Sequence, residues 1–145
     1  MTKNVTITGQ SEILAALNKF SVDADGLINK SVKETTFAVR DIAVKSIQTE
    51  DSGGRSYSRG KNKYHKASPA GKPPNTDTGR LAGDISVKYE GGSEGWVYTM
   101  LDYGMHLEFG TTKIDPRPWL QPAADQSSAL FEMSLKRGLG MLLNE

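Results

Sequence analysis

YGMHLEFGTTKIDPRPWLQPAA, residues Tyr103 to Ala124, is the stretch on which the fold turns. It gathers two glycines, three prolines and four rings, counting His106, around Leu107, Glu108 and Phe109. Read as a helix, Asp102 caps the start, Tyr103 sits over Leu107, and Gly110 supplies a left-handed residue just past the end. Read as a strand, alternation would put Tyr103, Met105, Leu107 and Phe109 on one face. The helix is the preferred reading because both caps are present. Thr111 to Ile114 then fits a short strand, and Asp115-Pro-Arg-Pro-Trp119 an extended, proline-stiffened link. Pro122 suits the first turn of a last helix with Ala124, Phe131, Leu135, Leu139 and Leu142 on its apolar face, loosened at its end by Gly138 and Gly140. The whole stretch reads as a packed corner built on Tyr103, Glu108, Phe109, Gly110, Thr111, Arg117, Pro118, Trp119 and Pro122. Trp96, Trp119, Phe109 and Phe131 are assigned to the core.

Upstream of the corner, Asp84 to Glu90 alternates, with Ile85, Val87 and Tyr89 on one side and Ser86, Lys88 and Glu90 on the other. Gly91 to Gly95 is a turn, and Trp96 to Leu101 is the returning strand of a hairpin. Farther back, Asp23 to Ile47 carries Leu27, Ile28, Val32, Val39, Ile42, Ala43 and Ile47 at helical spacing, with Asp23 or Asp25 as the cap and Gly26 in a weakened first turn. A separate small helix is expected from Ser11, presenting Ile13, Leu14 and Leu17, after a short strand at Val5 to Thr8. The expected fold is α+β: a small, mostly antiparallel sheet packed by the long helix and the C-terminal helix.

Residues 52–76 break this pattern. They contain no acid, and Arg55, Arg59, Lys61, Lys63, Lys66 and Lys72 are interspersed with Gly, Ser, Pro, Tyr57, Tyr64 and His65. Neither helical nor strand periodicity shows, so the segment reads as a long, flexible, basic loop. Its cations and tyrosines could contact phosphates and stack on bases. A solvated loop, or one that orders only against a partner protein, accounts for the same composition.

The 145 residues are read as one domain, 1–145, long enough to bury roughly 70% of the unfolded surface. With no cysteine, the chain has no disulfide, thiol nucleophile or thiolate metal site, which fits synthesis in a reducing compartment. A net charge of +1 gives no global attraction to DNA or membrane. The first ten residues lack the apolar core of a signal peptide, and no run approaches the roughly 20 apolar residues of a membrane span. His106 and Glu108 are candidates for metal or acid–base work, but on a helix residues two apart diverge by about 200°. The stronger expectation is that Glu108 accepts hydrogen bonds from backbone donors or from Arg117. The glycines near Gly54 and Gly60 lack phosphate-loop spacing. No catalytic, metal or cofactor site is expected.

Three motifs in this order resemble the phage HK97 gene-product-10-like family. Ala67 to Leu81, ASPAGKPPNTDTGRL, is similar to the family's ASxPGxPPxxdTGxL, and Ile85 and Ser86 follow at the hairpin opening. Tyr103 to Thr111 is similar to YAxyvEfGT, and Arg117 to Ala123 to RPFLxPA. The N-terminal Ile7-Thr-Gly9, the helix from Ile13 to Leu17 and the long helix after it also resemble the family's order of elements. Gly104 stands for the usual alanine, Trp119 for phenylalanine, and Gly83-Asp84 where serine is common. The resemblance implies a head–tail joining or tail-completion protein of the virion neck, made in the bacterial host cytoplasm. It implies a homo-oligomeric ring, six-fold to match the tail, between the connector (stopper) and the tail terminator or tail tube, with no membrane partner and no catalytic residues. The expected interfaces are the basic loop, Phe109 to Lys113 and Asp115 to Trp119, with the loop cations facing passing DNA or an acidic neighbour. The alternatives are a tail-terminator or connector subunit, or a small nucleic-acid-binding protein using residues 55–72.

Overall fold

The computed structural model describes residues 9–49, 53–61 and 63–144, so the strand expected at Val5 to Thr8 lies outside the described residues. Helix α1 runs unbroken from Gln10 to Gln48. The two helices expected here are one, because no proline interrupts the run and Gly26 alone costs only about 1 kcal/mol relative to alanine. At 1.5 Å per residue its 39 residues extend about 58 Å. Ser11 therefore caps nothing. Gly9, at φ 91, precedes the helix, and the Ser11 hydroxyl donates to Glu12 instead. Asp23, Asp25 and Gly26 all lie in its interior.

Helix α4, Gln121–Leu142, lies antiparallel along α1: Ser31 and Ser134 hydroxyls meet at 3.0 Å, and Gly138 lies against Leu27. A Cβ at Gly138 would overlap the Leu27 side chain, so this glycine permits a close approach instead of ending the helix. The seam is made of small residues. Ser31, Ala123 and Ser127 are buried, while Phe131 and Leu135 are half-buried and Leu139 is exposed. The expected apolar face is thus rotated, because small side chains let the two helices come together where larger ones could not.

The chain is α+β, with two small antiparallel sheets of two strands each. In the first, β1 (Ser56–Ser58) pairs with β2 (Tyr64–Lys66). In the second, β3 (Ser86–Tyr89) pairs with β4 (Gly95–Tyr98), placing Val87 opposite Val97. Between the two sheets lies a short helix, α2 (Arg80–Asp84), where packing was expected to resume at Leu81 and a strand to begin at Asp84. Asp84 ends that helix and accepts from the Thr99 hydroxyl and, at 2.7 Å, from Met100 N–H, clamping both ends of the second hairpin. These donors, the hydroxyl first, hold its carboxyl below the ordinary range. The hairpin packs on α1 through Gly95, pressed against Thr36, and through the Tyr89 hydroxyl, which donates to Asn29 O at 3.1 Å.

The core is Ala43, Ile47, Leu81, Ala82, Ile85, Trp119 and Ala123, with Val39, Ile42, Val97, Leu101, Leu107 and Leu120 around it. Trp96 was expected in this core and is exposed, because Val97 takes the inward position on β4 while Lys88 Nζ covers the Trp96 ring at 5.6 Å. Among the described residues no helix is long and apolar enough to cross a membrane.

Candidate functional site

Helix α3, Asp102–Phe109, fulfils the helical reading of the corner. Leu101 takes the cap position and Asp102 is the first helical residue, where its charge favours the positive end of the helix. Gly104 and Glu108, four apart, form the buried face. Phe109 is rotated about 100° from Glu108 and is 75% exposed, so it is a surface residue and not part of the core. Gly104 has no room for a side chain: a Cβ would lie 2.7 Å from Thr99 Cγ2 and 3.3 Å from Leu81 Cδ1. Its carbonyl accepts from Trp119 Nε1 at 3.1 Å, which satisfies the indole of a residue only 3% exposed.

Glu108, 8% exposed, accepts three backbone hydrogen bonds. Oε2 takes Trp119 N–H at 2.7 Å and Leu120 N–H at 2.9 Å, and Oε1 takes Gln121 N–H at 2.9 Å. The carboxylate of one helix thus caps the start of the next, where Leu120 offers no side-chain cap of its own. Both oxygens are engaged, and His106 is exposed on another face, so the two do not form a pair. Among the described residues no cluster of His, Asp and Glu could hold a metal ion.

Arg117 does not pair with Glu108. Its N–H donates to Leu107 O at 2.7 Å, and its side-chain Nε donates to Ser68 O at 3.1 Å. The extended link holds the arginine away from the carboxylate and points it at the basic segment. Thr111 to Ile114 is a tight turn closed by Thr111 N–H to Ile114 O at 2.8 Å, not a strand. Gly110 makes it possible: φ is 75, and a Cβ would lie 2.8 Å from Ile114 O. Pro118 follows in the link, and Pro122 lies in the first turn of α4 as expected.

The basic segment is not a free loop. Strands β1 and β2 close it into a hairpin with Tyr57 opposite His65, their rings edge to face at 5.3 Å. The turn is held by Arg59 N–H to Lys63 O at 2.7 Å, with Gly60 at φ 122. Beyond the hairpin, Gly71 N–H donates to Pro116 O at 2.8 Å and Thr76 N–H to Ile47 O at 3.1 Å. Asp77, the first acid after the acid-free run, pairs with Arg59, and His65 Nδ1 lies 3.6 Å from it. Charge segregation along the chain therefore resolves into an ion pair in space. Arg55, Lys61, Lys63, Lys66 and Lys72 remain exposed.

These contacts frame an open pocket of about 480 Å³ between the hairpin and the corner. Tyr57, Arg59 and His65 line it from one side, and Tyr103, Lys113 and Arg117 from the other. Ile47, Leu81 and Leu107 give it an apolar wall, and Asp77 and Asp115 add carboxylates. Of the six expected loop cations, Arg59 alone lines it; Lys113 was expected only as the end of an interface, and Ser68 and Asp77 were not singled out in the sequence. Their signal was the proximity of two motif stretches, which only the fold supplies. Compared with family models, with curated proteins and with solved structures, the chain matches none.

Proposed function

We propose that this chain is a structural protein of the phage neck, a ring-forming tail-completion or head–tail joining subunit between connector and tail tube. The observation that carries the reading is the meeting of the three motif-bearing stretches. Glu108 of the second motif caps the start of α4 in the third, and Arg117 of the third binds Ser68 of the first. Residues that serve assembly need a rigid frame with exposed contact surfaces, and the corner supplies the frame. The surfaces are the basic hairpin, Phe109 to Lys113, and the unpacked first turns of α1, where Ile13, Leu14 and Leu17 are all exposed. Contiguous exposed apolar side chains of this kind mark interaction surfaces.

In this reading the partners are other copies in a six-fold ring, the connector or stopper on one face, and the terminator or tail tube on the other. The work is done by interfaces, with no bond made or broken. Electron microscopy of a lysate from a phage with an early stop codon in this gene tests it. Packaged heads and full-length tails lying apart are expected. Overlong tails would reassign the chain to length termination, empty heads to the connector, and intact infectious particles would refute the neck reading.

The second reading, nucleic-acid binding, is favoured by one observation: Lys61, Lys63 and Lys66 are exposed at and beside the tip of the β1–β2 hairpin. Phosphate contacts predict a logarithmic salt slope of about −0.9 per phosphate neutralised on duplex DNA. Binding that is flat with salt removes it. Changing these three lysines together to glutamate tests whether the hairpin's charge serves joining as well.

A further inference from the structure

Among the groups that line the 480 Å³ pocket, the Arg117 Nη pair, the Lys113 ammonium and the Asp115 carboxylate have no partner among the described residues. Arg117 uses Nε on Ser68 O, which leaves the Nη pair without a partner among the described residues. Lys113 brings an ammonium to the same lining. What fits is an acceptor with negative charge and two oxygens in one plane, the geometry that a guanidinium fork matches bidentately. The apolar wall of Ile47, Leu81 and Leu107 suits an aliphatic side chain beside that group. Asp77 and Asp115 in the lining oppose a polyanion, and a nucleic-acid duplex does not enter a space of this size.

We propose that the cavity is a carboxylate-binding pocket that takes an extended peptide segment in which an acidic residue adjoins aliphatic ones. The end-on Nη pair of Arg117 forks the carboxylate, and Lys113 adds the second positive charge. Arg59, held by Asp77, forms the far wall. Assigning the source of the segment, either a second copy of this chain or an adjoining neck protein, rests on the neck reading. The pocket itself rests on its geometry.

The test is fluorescence anisotropy of the full chain with a labelled, C-terminally amidated hexapeptide, Ala-Leu-Glu-Leu-Glu-Ala, and its Gln-for-Glu twin. The Glu peptide should bind at least about tenfold more tightly than the twin, the range expected for one charge-assisted bidentate contact. Arg117→Lys keeps the charge, loses the fork and should weaken binding about tenfold. Lys113→Gln, at an exposed position that leaves folding intact, should weaken it about two- to fivefold. Lys136→Gln, on the far helix, should leave it unchanged. Equal binding of the two peptides, binding of neither, or indifference to both Arg117→Lys and Lys113→Gln overturns the proposal. So does a labelled oligothymidine that binds with the same Arg117 dependence. In sedimentation velocity, a self-association released by the Glu peptide names a second copy as the source; an unchanged sedimentation coefficient with peptide bound names a different protein. Failure of the pocket leaves separated heads and tails unexplained by it, whereas failure of the neck reading leaves peptide binding intact.

Discussion

Removing the Glu108 carboxylate is the most informative perturbation of this fold. Glu108→Ala strands three N–H groups, those of Trp119, Leu120 and Gln121, beside a side chain that is 3% exposed. Loss of a helix cap costs about 0.5–2 kcal/mol, and each buried donor left unpaired costs about 1–3 kcal/mol. Water can enter at Gln121, which is exposed, so the burden falls on the first two donors. The expected loss is about 3–5 kcal/mol, a large share of a typical stability of about 5–15 kcal/mol. Glu108→Gln discriminates the mechanism. Its amide oxygen, placed where Oε2 sits, keeps the bonds from Trp119 and Leu120, while its NH₂ faces the Gln121 N–H and loses one. That substitution should cost about 1.5–2.5 kcal/mol, one charge-assisted bond. Urea unfolding followed by tryptophan fluorescence and far-ultraviolet circular dichroism measures both. If Glu108→Ala costs under 1 kcal/mol, or the glutamine costs as much as the alanine, the capping argument is wrong.

Two glycines should answer alanine with opposite signs. Gly104→Ala forces a Cβ to 2.7 Å from Thr99 Cγ2 and should cost about 1–3 kcal/mol in urea, partly recovered by adding Thr99→Ala. Gly140→Ala meets nothing within 4 Å in the last turns of α4 and should stabilise by about 0.5–1 kcal/mol; a loss would mean that glycine has another role there. Asp84 titrates below its ordinary value of 3.8 because the Thr99 hydroxyl and then Met100 N–H favour its charged form. A depressed folded-state value stabilises above the unfolded-state pKa and is lost as pH falls through the folded one. The melting-temperature gap between wild type and Asp84→Asn should therefore be full at pH 6 and close as the pH drops below about 4; a gap that is constant with pH would contradict the assignment.

How much of this could be read from the sequence follows from which interactions are local. Helix α3, the β3–β4 hairpin and Pro122 in the first turn of α4 were legible, because helical spacing, alternation and a first-turn proline act within a few residues; backbone donors were also expected for Glu108, although they lie 11 to 13 residues away, while the cap expected from Asp102 is not made. Phe109 was misplaced because hydrophobicity was read without the helical angle to Gly104, whose lack of a side chain defines the inward face. The break expected ahead of Asp23 failed for a related reason. Asp23 and Asp25, at the head of an apolar run, look like caps, yet a cap forms only where the helical ladder ends, and nothing there ends it.

The basic segment illustrates the other limit. Its three-residue strands are too short for periodicity to register, and composition alone suggested a flexible arm. What orders it is non-local. Arg117 lies 49 residues from Ser68 yet binds its carbonyl, and Pro116 O takes Gly71 N–H. The arginine bond satisfies the carbonyl of Ser68, a residue buried within this polar segment. In the proposed pocket the weight falls on Arg117. Like the Trp119 indole, which donates to Gly104 O, it ties two motif stretches together through one nitrogen, and its two Nη groups have no partner among the described residues. In that pocket those two groups are left for an acceptor that the chain itself does not supply.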